Sequence, residues 1–116
     1  MKILIAAGDR DLLMAYSAVL EGEGYETVTA FDGVQAVELT ERESPELAVL
    51  DSRLPRLSQD KILEFLNEKN IPGLQLVRKR GEYSEKAADY ILYPFLPQEL
   101  TDKIKAIVSG TVKTNE

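Results

Sequence analysis

Short apolar runs alternate along this chain with longer segments whose apolar residues recur every three or four positions. The runs Lys2–Ala6, Tyr25–Phe31, Leu47–Leu50, Leu74–Val77 and Asp89–Leu92 predict strands. Between the first two, Leu12, Tyr16, Val19 and Leu20, with Leu13 and Ala15 beside them, predict a helix capped by Asp9 or Asp11 and ended by Gly22 and Gly24. A second helix is expected over about Val34–Glu43, with Val34, Val37 and Leu39 as its apolar positions. Ser58 caps a third, whose stripe is Ile62, Leu63, Phe65 and Leu66 and whose end falls in Asn67–Asn70. Pro97 opens the last, with Leu100, Ile104, Ile107 and Val108 as its buried face.

The Leu47–Leu50 run lies between Pro45 and Pro55 and is too short for a free-standing helix, so it reads as a strand buried on both faces. Asp51 follows it at once. In open α/β sheets the crevice beyond the carboxyl ends of the strands is where sites are built. Asp51 there is either a functional carboxylate or a loop residue holding backbone N–H groups.

The alternation of strands and helices implies an α/β domain with a parallel sheet. The right-handed crossover rule favours a flavodoxin-like three-layer sandwich with strand order 2-1-3-4-5. One crossover breaks the rhythm. A parallel crossover with its helix needs at least ~10–12 residues, and Lys79–Ala88, interrupted by Arg80-Gly81 and Ser84, has no room for a full one. The fourth helix is expected to be shortened or absent. Residues 1–109 are read as one domain and 110–116 as a polar, frayed tail.

Composition narrows the chemistry. The 116 residues contain no cysteine and no histidine, which excludes disulfides, thiol and zinc chemistry and histidine acid–base catalysis. A net charge of −6 argues against a nucleic-acid surface. No apolar run reaches membrane-spanning length, and Met-Lys-Ile-Leu-Ile reads as the start of a strand rather than a signal peptide, so a cytoplasmic chain with no membrane partner is expected.

Several short motifs, taken in order, resemble the receiver domain of two-component response regulators. They are Lys2-Ile3-Leu4-Ile5, the turn Leu20-Glu21-Gly22-Glu23-Gly24-Tyr25-Glu26, Asp32-Gly33, and Leu50-Asp51 with Pro55 after it. Ala88-Asp89-Tyr90, Pro94-Phe95 and Pro97-Gln98-Glu99-Leu100 complete the series. The resemblance implies that Asp51 is the phosphoacceptor position. It also implies a Mg²⁺ held by two acids after the first strand, a Ser or Thr after the fourth, and a Lys before the closing Pro. Together these neutralise and bind the transferred phosphoryl group.

The chain departs from that set at each of these positions. The acid-pair positions hold Ala7 and Gly8, the hydroxyl position Val77 and the lysine position Tyr93. Arg56 and Gln59 stand where the family's loop usually has glycines. Asp9, one place beyond the acid pair, reads as a helix cap, because Asp51 and a displaced Asp9 make a poor octahedral site. Neither a cofactor nor Mg²⁺ is therefore expected. Arg53, Arg56, Arg78, Lys79 and Arg80 follow the third and fourth strands. They are either solvated loop charges or, for Arg78 or Arg53, a guanidinium paired with Asp51. Tyr93 could add a hydroxyl donor there.

These features suggest a non-enzymatic pseudo-receiver, a phosphorylation-independent protein-interaction module in a bacterial signalling system. Its partner is expected to be a signalling protein or a second copy of the chain, meeting Tyr83, Tyr90 or the first turn of the last helix. The alternative is an atypical receiver still phosphorylated on Asp51 by a histidine kinase or a small phosphodonor. A flavodoxin-like small-ligand domain ranks below both, since no strand end carries a phosphate-cradling Gly-rich loop.

Overall fold

The computed structural model describes residues 1–110, so the expected tail at 110–116 lies, apart from Gly110, outside the described residues. The elements run β1 (Lys2–Ala6), α1 (Arg10–Gly22), β2 (Glu26–Ala30), α2 (Gly33–Glu43), β3 (Leu47–Asp51), α3 (Gln59–Glu68), β4 (Gly73–Val77), β5 (Asp89–Leu92) and α4 (Pro97–Ser109). All five strands pair in parallel in the order β2-β1-β3-β4-β5, as the alternation predicted. Lys79–Ala88 carries no helix, and the fourth crossover returns as turns.

Short polar side chains start the helices. Asp9 accepts the N–H groups of Asp11 and Leu12, Asp32 that of Gln35, and Ser58 that of Lys61. At α4, Pro97 sits at the first turn and Glu99 folds back to accept the Leu96 N–H.

β3 and β4 are buried on both faces, and the sheet separates two cores. Ile3, Ile5, Val49, Leu74 and Leu76 face α1 and α4, where they meet Leu13, Tyr16, Leu20, Leu100 and Ile104. Leu4, Ala6, Ala48 and Leu50 face α2 and α3, meeting Ala36, Leu39, Ile62, Leu63 and Leu66. Gly73 lets α3 approach β4 closely, since a Cβ there would come within 2.6 Å of Leu63 Cδ2.

Three helix faces follow expectation at Tyr16, Leu20, Leu39, Leu100 and Ile104 and depart from it at single positions. The buried line of α1 is Leu13, Tyr16 and Leu20, with Leu12 and Val19 half-buried and Ala15 exposed. In α2, Ala36, Leu39 and Thr40 are buried, whereas Val34 is exposed at the first turn, beyond the edge of the sheet. In α4, Thr101 is buried and Val108 exposed. The pattern misled because Thr40 and Thr101 return their hydroxyls to the helix carbonyls of Ala36 and Gln98, which makes them acceptable inside.

Candidate functional site

A crevice of about 380 Å³ opens at the carboxyl edge of the sheet, lined by Gly8, Asp9, Leu12, Asp51, Arg53, Pro55 and Arg78. Asp51 ends β3 at its floor, with its side chain only 4% exposed. A carboxylate so far out of water needs partners, and it has them. Arg78, the first residue after the neighbouring strand β4, places Nη2 3.1 Å from Oδ2 and 3.4 Å from Oδ1. The Arg53 backbone N–H donates to Oδ1 at 3.0 Å.

Arg78 is itself enclosed. Its guanidinium lies 4.4 Å from the centre of the Tyr93 ring, a cation–π contact. Tyr93 in turn meets Phe95 edge-on, and Phe95 stacks on Tyr16. Burial pushes the Tyr16 hydroxyl up to about 12.

Two expectations are corrected here. Arg53 reaches Asp51 through its backbone N–H and not its guanidinium, because a residue two places past a strand end turns its amide back on the carboxylate while its side chain points out. Tyr93 contributes the face of its ring to Arg78 rather than a hydroxyl to Asp51. Of the two arginines weighed as partners, Arg78 alone has its side chain on the carboxylate.

The remaining degenerate positions offer no ligand. Ala7 is 1% exposed and packs into the α1–α4 core, and Val77 is fully buried. Gly8 lies against the β3–α3 loop, where a Cβ would come 3.1 Å from Pro55 Cδ. Asp9 spends one carboxylate oxygen on the first N–H groups of α1, as a cap should. Among the described residues no cluster of three or more acids could hold a metal ion. The residues present do not fit the Mg²⁺ that the family implies: of the two crevice carboxylates Asp51 already carries a guanidinium and Asp9 is engaged as the cap of α1.

The segment that replaces the fourth helix is fastened by polar contacts that the sequence reading missed. Glu82 accepts the Arg78 N–H at 2.6 Å and the Ser52 hydroxyl at 3.2 Å. The Arg78 N–H, with help from Ser52, holds the Glu82 carboxyl below the usual carboxylate range. Tyr83 stacks on Tyr90 of β5 with ring centres 4.2 Å apart and planes 8° from parallel. The Ser84 N–H donates to Gln75 Oε1 at 2.6 Å, and Gln75 Nε2 donates to Gln59 Oε1 at 2.9 Å. Gln59 Nε2 reaches the Asp51 carbonyl at 3.2 Å. Both ends of Asp51, its carboxylate through Arg78 and its carbonyl through Gln59, are thus tied to one loop. The signal for this was Gln75, a lone polar residue inside an apolar strand.

Known proteins resemble this chain in sequence and in fold. The alkaline phosphatase synthesis transcriptional regulatory protein PhoP of Bacillus subtilis is 33% identical over 115 residues, covering 92% of this chain and 48% of that protein. A CheY-like response regulator receiver domain protein from Methanospirillum hungatei superposes with a TM-score of 0.84 at 25% identity, covering 95% of this chain and 94% of the other. It is a response-regulator receiver domain. A two-component response regulator from Clostridium difficile shares the receiver fold with a TM-score of 0.86 at 22% identity, over 97% of this receiver and 99% of that chain. No family model matches the receiver. It spans about half the length of the curated relatives it matches. Among its described residues no helix is long and apolar enough to cross a membrane.

Proposed function

We propose that this receiver works without phosphorylation, as a cytoplasmic protein-interaction module in a bacterial two-component signalling system. The observation that carries the reading is Arg78, whose Nη2 spans both oxygens of Asp51 under the ring of Tyr93. For phosphoryl transfer a carboxylate oxygen must be free to attack, and cations must meet the developing charge on the phosphoryl group. Here the cation is spent on the carboxylate itself. Ala7, Gly8, Val77 and Tyr93 stand where the family has its metal-binding acids, its hydroxyl and its lysine.

In this reading the output is a standing surface. Tyr83, 44% exposed and backed by Tyr90, and Leu96, 67% exposed before α4, are the side chains a protein partner or a second copy would meet. PhoP is named a transcriptional regulatory protein. For residues 1–110 of this chain a protein contact rather than a nucleic-acid one is proposed, given the net charge of −6.

Intact-mass measurement after incubation with acetyl phosphate and Mg²⁺ tests the proposal, with an ordinary receiver as positive control. The expected result is an unmodified mass, and no amide shifts around Asp51 on adding beryllofluoride. A phosphoryl adduct lost in Asp51→Asn would establish the alternative, a slow receiver whose Asp51 still opens onto the crevice.

A further inference from the structure

The charges of this chain are unevenly placed. Every arginine except Arg42 follows the carboxyl end of a strand. Arg10 opens α1 after β1, Arg53 and Arg56 lie after β3, and Arg78 and Arg80 after β4, with Lys79 between them. Because the strands are parallel, all of these stand on one edge of the sheet. Most acids on that edge are committed to a partner, and the exception is Asp11, exposed beside Arg10 in the first turn of α1. Asp9 caps α1, Asp51 holds Arg78, Glu82 holds the Arg78 N–H and Glu99 holds the Leu96 N–H. Asp32 caps α2 and faces Arg56 at 3.7 Å.

The unpaired cations lie together past the ends of the neighbouring strands β3 and β4. Arg53, Lys79 and Arg80 are exposed and make no ion pair among the described residues. Exposed apolar groups share the edge: Phe31 at 40%, with Arg10 5.6 Å from its ring, and Leu96 at 67%. Guanidinium groups bind carboxylates in a planar fork, and apolar side chains beside them give a peptide something to bury.

We infer that this edge docks an acidic peptide segment of a partner protein, one carrying Asp or Glu interleaved with apolar residues. The inference rests on the interaction-module reading and adds to it the chemistry of the partner. Duplex or single-stranded nucleic acid suits the edge less well, because the chain beyond it carries a large acidic excess that would repel an extended phosphate backbone.

The test is an NMR titration of the whole protein with a twelve-residue probe alternating Glu–Glu with Leu or Phe. An all-Lys peptide and a single-stranded oligonucleotide of matched length are run in the same buffer. Saturable shifts at Arg53, Lys79, Arg80 and Arg10, weakening as salt is raised, are expected. The exposed double variant Arg53→Glu, Arg80→Glu should fold normally and weaken the acidic probe by about tenfold or more. No binding at millimolar probe, binding unchanged in the double variant, or tighter binding of the oligonucleotide would each overturn the inference. Failure here with an unmodified mass under acetyl phosphate would leave the interaction-module reading standing. A phosphoryl adduct would remove that reading whatever the peptide does.

Discussion

Gln75 Oε1 accepts the backbone N–H of Ser84 at 2.6 Å, although Gln75 is 1% exposed in the middle of β4. This pair does part of the work of the missing helix. Gln75 lies opposite Tyr90 in the sheet register, on the face that a fourth helix would have covered. Gln75 fixes the returning loop by hydrogen bond, while Tyr90 fixes it by stacking on Tyr83. Replacing Gln75 with Leu keeps the volume but leaves the Ser84 N–H without its acceptor and Gln59 Oε1 without its donor. The expected cost is about 1–3 kcal/mol in chemical denaturation. Amide exchange should rise over Lys79–Ala88 and stay unchanged in β1.

Glu82 makes this loop sensitive to acid. The Arg78 N–H beside it lowers its pKa from the ordinary 4.5. A carboxyl depressed on folding adds stability that is present above the unfolded pKa and fades as pH falls through the folded one. Below pH ~4.5, exchange protection of the Arg78 and Glu82 amides should therefore decline before that of β3. In Glu82→Gln the decline should disappear. A wild-type decline that persists in this variant would assign the effect to another group.

The fold was legible because β3 and β4 are continuous apolar runs and the helix caps are local. Asp9, Asp32 and Ser58 each signal a start within their own few residues. The length of Lys79–Ala88 was enough to remove a helix, since no packing can lengthen a chain. The Asp51–Arg78 pair was half legible, because adjacency of strand ends brought Arg78 and Arg53 within reach but could not fix which guanidinium turned inward. The Tyr93 ring, the Gln59–Gln75–Ser84 relay and the Glu82 anchor were not legible. The Tyr93 and Gln59–Gln75 contacts join side chains distant in sequence, the Glu82 anchor on Arg78 is a local turn contact, and only the seated loop brings them together.

Arg56 adopts φ = 80°, in the left-handed region that favours glycine. The family's loop usually has glycine there, and the backbone has kept the shape without the residue. Its ion pair with Asp32 is long, at 3.7 Å, with the arginine side chain 66% exposed, so it contributes little. Relief of the left-handed strain should outweigh the larger entropy glycine has when unfolded. Arg56→Gly is expected to stabilise by about 0.5–1 kcal/mol, read as a higher thermal midpoint. A loss of stability would mean that the Asp32 contact matters more than its geometry indicates.

Metal affinity should be absent and hard to restore. No amide near Asp51 is expected to shift in millimolar Mg²⁺. Ala7→Asp would place a carboxyl in the α1–α4 core, and Gly8→Asp would press on Pro55 Cδ. The two together should regain Mg²⁺-dependent shifts only when Arg78 is also replaced by Ala, which clears the cation from Asp51. Mg²⁺ binding to the double variant with Arg78 intact would show that the guanidinium is easily displaced.

The two partners of the central pair should not be equivalent on removal. Asp51→Asn keeps an acceptor for the Arg53 N–H and leaves Arg78 uncompensated, but that side chain is 20% exposed and keeps the Tyr93 ring. Its expected cost is about 1–2 kcal/mol, reduced from the fully buried case by solvent screening. Arg78→Met keeps the stem's packing and leaves a carboxylate that is only 4% exposed without its cation, for about 2–4 kcal/mol. The double variant should cost less than the sum, since it leaves neither charge stranded, and that shortfall measures the coupling. Denaturation of the four proteins closes the cycle. Partner binding should survive Asp51→Asn, because in the proposed mode no switch runs through this carboxylate. Loss of binding by a folded Asp51→Asn protein would place the signal back on Asp51.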